Sequence, residues 1–491
     1  MHREQTVELH REAGRRLMNE SSFVTKIVDD PQNDVPRLIF ADWLSDQGDP
    51  RGEFIRAQCL LARMDDRDPR RLDLEWIERK WLAEFGPASD RALRESTGIV
   101  SGEYRRGMLT KLVISADAFV ENHQQILDAA PARDIRFVGV KQDWDRLLDC
   151  EALSQLSGID FLNTNLGMSR LEQLLARTDL SQLRSLRLGG AAKSRRAIRL
   201  IARSPNLSGL QELVLDGTPT DPDSMPLLAT APFATSLTRL SVAGCGLFSE
   251  SLESLSRADV FPKLISLDLS DNADADSEFW QWFFGSPRFD RLHELSIREC
   301  FLSSADVSFL ARIRQPMELR RLDLRGAYFN ESAAKSLGMS SCLRGLTHLS
   351  LEACGLDDEL LRALMENAEG ARVRSLALGL NDFTADGLAA VMWWSGASGL
   401  SELGLSSNPL NDPGVGLLIQ SKALANLNRL DLRLSGVRET GARRLAGAKN
   451  LDRLTELHLT YQLPNQQGHA FGELQKTAIE DNFGSHVCHF T

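Results

Sequence analysis

Twelve aliphatic residues recur at a nearly constant interval through most of this chain: Leu156, Leu183, Leu210, Leu237, Leu264, Leu292, Leu319, Leu346, Val373, Leu400, Leu427 and Leu454. Ten of the eleven intervals are 27 residues, and the one from Leu264 to Leu292 is 28. A fixed period of this length is the mark of a solenoid, because one such unit cannot bury its own apolar face and must stack on its neighbours. The array therefore predicts an extended scaffold and leaves open what it contacts.

The residues after each ruled position define the unit. Leu346-Thr-His-Leu349-Ser-Leu351-Glu-Ala-Cys354-Gly-Leu356 and Leu400-Ser-Glu-Leu403-Gly-Leu405-Ser-Ser-Asn408-Pro-Leu410 follow L-x-x-L-x-L-x-x-N/C-x-L, the leucine-rich repeat. The period of two in Leu349-x-Leu351 puts both leucines inside and turns Ser350 the other way. The ninth position holds small or amide side chains (Cys245, Asn272, Cys300, Cys354, Asn381, Asn408), which suit a tight turn whose backbone needs a polar partner. The second half of each unit is helical in pattern, as in Asp358-Glu-Leu360-Leu361-Arg-Ala363-Leu364. Units of this kind resemble the ribonuclease-inhibitor-like class of leucine-rich repeats, across roughly residues 150 to 465. That resemblance implies an α/β solenoid, a horseshoe with parallel strands on the concave face and helices on the convex face.

Weaker units precede the regular ones: Leu109-x-x-Leu112-x-Ile114 and Ala132-x-x-Ile135-x-Phe137 have the form of capping repeats. At the other end, Gly468 to Asn482 reads as a last helix, Gly484 as its left-handed stop and His486 to Phe490 as a closing strand. The expected organisation is a flexible tail at 1–19, a helical domain at 20–86, a linker and capping repeats at 87–150, the repeat array at 151–465 and a cap at 466–491.

No apolar run approaches the 18 residues of a membrane span, and the amino terminus is charged rather than signal-like. A cytoplasmic address and no membrane contact are expected. The net charge of −11 argues against a general nucleic-acid binder, though not against a local basic patch. Seven cysteines, an odd number spread widely, fit a reducing compartment. His486-x-Cys488-His489, with His469 nearby, is the sharpest metal candidate. In a strand, His486 and Cys488 face one side and His489 the other, so no metal site and no cofactor are expected.

The first hundred residues differ in kind. Helices are expected from Glu20 to Asp30, from Asp34 to a stop at Gly48, from an Asp49 cap and Pro50 onward, and through Leu74, Ile77, Trp81 and Phe85. Phe40-Ala-Asp-Trp-Leu44 followed by Gly48-Asp-Pro-Arg-Gly-Glu-Phe-Ile-Arg56 resembles the repeat-companion domain, a short module of bacterial proteins that accompanies leucine-rich repeats. The resemblance covers about residues 20 to 64 and implies association with a repeat scaffold, with little about chemistry. Asp42, Asp46, Asp49, Arg51, Glu53 and Arg56 gather charge within fifteen residues. Without a histidine, a cysteine nucleophile or a glycine-rich loop they read as helix caps and ion pairs, Asp42 with Arg56 among them, rather than as an active site. An enzyme is not expected.

Function is then expected on the strand face, where the third, fifth and seventh positions of each unit point to solvent. The third position includes Ser185, Arg321, His348, Glu402, Arg429 and Glu456, the fifth Asp323 and Asp431, and the seventh Arg298, Arg325, Glu352 and Arg433. With Tyr461, the residues named as candidates for partner contact are Arg298, Arg321, Asp323, Arg325, His348, Glu352, Glu402, Arg429, Asp431 and Arg433. Both signs are interleaved, and Glu402, Arg429 and Glu456 can neutralise one another across adjacent strands. Aromatic anchors are nearly absent there before Tyr461, so a polar or charged protein partner is the better fit. Phe279-Trp-Gln-Trp-Phe-Phe284 and the Trp393-Trp394 pair offer a competing surface on the helical side, unless they pack between units. The expected role is a protein-interaction scaffold; the alternative is an inhibitor or specificity subunit that holds an enzyme or effector.

Overall fold

A computed structural model describes residues 20–491 other than 141, 178, 192, 258, 274, 314–317 and 461–470; Tyr461 and His469 lie outside the described residues. The chain divides into two compact units, Met1–Ala191 and Ala192–Thr491. Among the described residues, no helix is long and apolar enough to cross a membrane.

The first unit opens with helices α1 (residues 20–29), α2 (Val35–Asp46), α3 (Arg51–Leu61) and α4 (Arg71–Glu84). Pro50 takes the N-cap position of α3, one residue later than expected, and Asp49 just before it accepts the Arg51 amide at 2.9 Å. Gly52 is needed where α2 and α3 touch, because a Cβ there would lie 2.5 Å from the Ala41 carbonyl oxygen. Phe40, Ala41, Leu44, Ile55 and Cys59 form the core of this packing with Ile27, while Phe54 stacks on Trp81 with ring centroids 4.0 Å apart.

After α4 the chain remains helical over Gly86–Ser89 and Arg91–Thr97, and then forms a hairpin that the sequence reading did not anticipate. Strands β1 (Ile99–Arg105) and β2 (Met108–Ser115) pair antiparallel. Their two-residue turn has φ of 50° at Arg106 and 77° at Gly107, the double positive φ that such a hairpin needs, supplied here by Arg-Gly instead of the usual Asn-Gly. The turn sits on α3: the Gly107 amide donates to Gln58 Oε1 at 2.6 Å, and a Cβ at Gly107 would meet Ile55 Cγ1 at 2.4 Å.

From β2 onward the pairing is parallel, through β3 (Asp134–Val138), β4 (Gly158–Asp160) and β5 (Ser185–Arg187). Here one expectation fails. Ser185 was expected to face solvent, but it is 7% exposed, as is Arg187. Arg187 reaches over β4 to Asp134 at 3.0 Å, Arg136 pairs with the fully buried Asp160 at 2.8 Å, and these long side chains close the face. Gly158 makes the space, since a Cβ on it would be 2.6 Å from Asp134 Cγ.

The second unit carries β6 (Glu212–Val214), β7 (Arg239–Ser241), β8 (Ser266–Asp268), β9 (Glu294–Ser296), β10 (Arg321–Asp323), β11 (His348–Ser350), β12 (Ser375–Ala377), β13 (Glu402–Gly404), β14 (Arg429–Leu432), β15 (Glu456–Leu459) and β16 (Cys488–Phe490). Each pairs parallel with the next, and the register aligns the fourth-position leucines, from Leu213 opposite Leu240 to Leu430 opposite Leu457. The twelve ruled residues are all buried. A helix follows most strands and packs against the helices of adjacent repeats. Several start on a side-chain cap, as where Asp276 accepts the Phe279 amide and Asp357 the Leu360 amide, each at 2.8 Å. The helix Glu473–Phe483 and Gly484, with φ of 94°, lead into β16 as the closing strand.

Two repeat positions hold the coil together. At the ninth, Asn381 Nδ2 donates to the Leu351 and Leu378 carbonyls at 2.9 Å while its Oδ1 accepts the Cys354 and Leu356 amides at 3.0 Å, which satisfies backbone groups of two repeats at once. Cys354 and Cys300 do part of the same work, donating to the Leu324 and Leu269 carbonyls of the preceding repeat at 3.4 and 3.3 Å. Among the described residues of the second unit, φ at the eighth position is positive, at Gly217, Gly244 and Gly326 but also at Asp271, Glu299, Ala353, Leu380, Ser407 and Leu434. The chain turns there because its amide still joins the ladder, as Leu380 N does to Ser406 O at 2.8 Å.

Candidate functional site: the strand face of the second unit

The alternation of buried and half-buried residues leaves the third and fifth positions of β8 to β13 reaching solvent. In parallel strands about 4.8 Å apart, equivalent positions form rows, so a side chain meets the one 27 residues away in sequence. Besides the Arg239–Glu212 pair on β7 and β6, at 3.2 Å, two groups of charged residues stand on the face.

The first lies on β9 to β11. Arg321 Nε is 3.1 Å from Glu294 Oε1, and Arg298 Nε is 3.7 Å from Asp323 Oδ2. Arg325 bridges two carboxylates, Glu299 at 3.1 Å and Glu352 at 3.3 Å. Its pKa is raised, first by the hydrogen bond that it donates to Glu299. Burial pushes the Asp323 carboxyl above its ordinary range, against the Arg325 amide, the Ser350 hydroxyl and Arg298, which favour its charge. His348 Nδ1 lies 3.0 Å from Thr347 Oγ1.

The second group lies on β14 and β15. Arg429 Nε is 3.3 Å from Glu456 Oε2, and Arg433 Nε binds both oxygens of Asp431, at 3.0 and 3.1 Å. Burial opposes ionisation of Asp431, but the side-chain and backbone bonds from Arg433 outweigh it and hold the carboxyl below its usual range. The expected trio of Glu402, Arg429 and Glu456 is met in part: Arg429 pairs with Glu456, while Glu402 accepts the Ser375 hydroxyl at 2.8 Å.

Between Asp323 and Asp431 the fifth-position side chains are short, while the third-position row keeps His348 on β11 and Glu402 on β13. The fifth-position row runs Asp323, Ser350, Ala377, Gly404, Asp431, and the seventh positions of β12 and β13 are Gly379 and Ser406. The face is thus a shallow trough over β11 to β13, walled by Asp323, Arg325 and Glu352 on one side and by Asp431 and Arg433 on the other, about 19 Å apart at the strand spacing. The sequence reading selected the walls, because they are charged, and passed over the floor. It also missed Glu299, an eighth-position residue that directly follows Arg298.

These coils are leucine-rich repeats. The 27-residue strand-and-helix unit, the aligned leucine spine and the ninth-position amide ladder define them without reference to any relative. No protein-family model matches the sequence, and no curated protein is similar to it. Among solved structures, the repeats are similar to those in the crystal structure of the Rad7 and Elc1 complex in yeast, at 17% identity over 74% of this chain and 87% of that chain, with a TM-score of 0.48. They are also similar to an internalin, InlF, from Listeria monocytogenes str. 4b F2365, at 16% identity over 82% of this chain and 96% of that chain, with a TM-score of 0.32.

The helical side of the repeats resolves the aromatic question. Phe279, Trp280, Phe283 and Phe284 are buried, and Trp282 is left outside. Trp394 is 7% exposed and donates its indole N–H to the Ala368 carbonyl at 2.8 Å, whereas Trp393 is 83% exposed beside a hollow of about 430 Å³ bordered by Arg362, Glu366 and Asp386. In the first unit, Asp42 pairs with Arg56 at 3.0 Å, and Asp49 and Glu20 both bind Arg51. Glu53 is exposed beside a hollow of about 160 Å³.

Among the described residues, no three His, Cys, Asp or Glu side chains are placed to hold a metal ion. His489 instead stacks on His458, with ring centroids 4.7 Å apart, and burial pushes the Cys488 thiol up to about 12. All seven cysteines are buried free thiols.

Proposed function

We propose that this chain is a non-enzymatic protein-interaction scaffold that recognises a polar or charged protein partner through the strand face of its second unit. One observation carries the reading: a small-residue trough over β11 to β13 lies between two walls whose arginines are already oriented by carboxylates, Arg325 by Glu299 and Glu352, and Arg433 by Asp431. Oriented guanidinium groups lose little freedom when a partner adds a hydrogen bond, and short floor residues let a protruding side chain approach the backbone. In this reading Arg298, Arg321, His348, Glu402 and Arg429 form the rim.

The repeats are taken as ribonuclease-inhibitor-like, and residues 20–86 as a repeat-companion module like those of bacterial proteins. The net charge of −11 favours a protein over a nucleic acid or an anionic membrane, and seven buried thiols without a disulfide favour a reducing cytoplasm.

The test is a partner captured by a photo-crosslinker placed at Ser406, followed by affinity measurement on variants of the trough floor. Gly404→Arg adds a side chain where the nearest atom to a Cβ is Ala377 Cα at 3.5 Å, so folding is expected to survive. Affinity should fall at least about tenfold with an unchanged melting temperature. Undiminished binding by both Gly404→Arg and Ala377→Arg would remove the strand face as the contact surface.

A further inference from the structure

The first unit contains a cleft of about 530 Å³ whose charge runs against the composition of the chain. The protein carries a net −11, yet Arg37, Arg105, Arg106, Lys111 and Arg133 all line this one space, with Asp134 as the one carboxylate among the described residues that border it. Asp134 is already engaged, since Arg187 Nη1 lies 3.0 and 3.2 Å from its two oxygens. Glu103, outside the lining, is shared loosely between Lys111 at 3.4 Å and Arg105 at 3.8 Å. The wall is therefore left with an excess of positive charge.

Three of the guanidinium groups are anchored in place. Arg37 is buried and donates from Nη1 to the Asn33 carbonyl at 2.9 Å, Arg106 donates to the Gln32 carbonyl at 3.1 Å, and Arg133 donates to the Ala132 carbonyl at 3.1 Å. Arg106 Nη1 also lies 3.5 Å from Oδ1 of the buried Asp34, whose charge acts on Arg37 as well, so one further carboxylate offsets part of the charge of these groups while the carbonyls cancel none of it. Burial lowers the pKa of both Arg37 and Arg133, so an anion in the cleft would offset a desolvation that the fold leaves standing. Arg37 Nε and Thr110 Oγ1, both on lining residues, are buried polar atoms without a hydrogen-bond partner.

We propose that this cleft is a binding site for a small phosphorylated compound with a hydroxyl-bearing carrier, of about the size of a sugar bisphosphate. Three anchored guanidinium groups and a lysine offer more donors than one planar carboxylate can accept, whereas each phosphate presents three oxygens of the geometry that guanidinium forks fit. The volume falls within the range of roughly 300 to 1,000 Å³ usual for small-molecule sites. Among the described residues that line the cleft none is aromatic, so it offers no stacking surface for a nucleobase; the amides of Gln155 and Gln182 suit hydroxyl groups instead.

The test is calorimetric titration of the full chain with inorganic pyrophosphate, fructose 1,6-bisphosphate and citrate. Saturable binding of the two phosphate compounds is expected, weakened about tenfold or more in Arg105→Gln/Lys111→Gln, two charge-assisted donors being lost. Glu103→Gln releases both cations from their shared carboxylate and should tighten binding severalfold, a gain that misfolding cannot produce. Sedimentation with vesicles containing phosphatidylinositol bisphosphate separates the sources of the shared chemistry: binding competed by fructose 1,6-bisphosphate makes the carrier a lipid headgroup, its absence a soluble compound, and the site stands in either case. Lack of saturable phosphate binding, equal affinity for citrate, or no change in the Glu103→Gln variant overturns the proposal.

Discussion

Arg433, just past the end of β14, closes a two-pronged ion pair on Asp431 within that strand, with Nε 3.0 and 3.1 Å from the two carboxylate oxygens. This internal brace sets the wall of the trough before any partner arrives, and it makes Asp431 sensitive to acid. A carboxyl held below its unfolded value stabilises the fold above that value and loses the contribution as pH falls through the folded pKa. Replacing Arg433 by Gln should raise the Asp431 pKa, as read by NMR titration, and cost less than about 1 kcal/mol at pH 7, because Arg433 is 43% exposed and screened. An unmoved Asp431 titration would show that the pair does not govern its charge.

The second expectation concerns a buried cation with no carboxylate bonded to it. Arg288 is fully buried and donates to the carbonyls of Leu255, Phe261, Arg257 and Val260. Burial lowers its pKa to about 10. Arg288→Leu leaves those acceptors without their donor, and a loss of about 3 kcal/mol or more is expected from denaturant unfolding. Arg288→Lys should recover only part of it, since an ammonium cannot span the same set.

Backbone strain gives a prediction of opposite sign. Leu380 and Leu434 hold φ of 59° and 53°, and both side chains are exposed. A left-handed conformation costs a non-glycine residue about 1 to 2 kcal/mol, partly offset by the greater unfolded freedom of glycine. Leu380→Gly and Leu434→Gly should therefore raise the denaturation midpoint modestly at constant slope. A lowered midpoint would mean that the exposed leucines make contacts worth more than the strain.

His458 should make the carboxyl-terminal end acid-sensitive. Burial lowers its pKa and the neighbouring His489 adds to the effect, against the favourable contact with Glu456. A histidine whose folded pKa is depressed supports the fold above about 6.5, its unfolded value, and withdraws that support as pH falls toward the folded one. Protection factors for hydrogen exchange in β15 and β16, taken relative to intrinsic amide exchange at each pH, should fall between pH 7 and 5, and His458→Asn should flatten the dependence.

Adjacent tryptophans should differ sharply. Trp393→Ser, at an exposed position, is expected to change stability by less than about 0.5 kcal/mol, and Trp394→Ser, at a buried and hydrogen-bonded one, by about 3 kcal/mol or more. Equal melting temperatures for the two variants would contradict the assignment of faces.

The repeat was legible because its signals are local. Leu349 and Leu351 point inward by the period of two, Leu346 and Val373 stack by the period of 27, and Asn381 sits where a turn needs an amide. None of this depends on knowing which residue lies opposite which. The helix stop at Gly48 and the pairing of Asp42 with Arg56 were legible for the same reason.

Local pattern is thus enough to define the coil: its period, its apolar spine and the alternation that exposes one row of side chains. How that row behaves depends on contacts made in three dimensions. Arg187 and Arg433 are both strand-face arginines, yet one reaches across Gly158 to bury itself on Asp134 and the other stays half-exposed on Asp431. Likewise Arg106-Gly107 becomes a hairpin turn set against Ile55 on α3, a neighbour about fifty residues away in sequence. The physical reason is range: periodicity is written in backbone geometry a few residues long, whereas charge pairing and burial depend on the reach of side chains from strands that sequence separates and folding brings side by side.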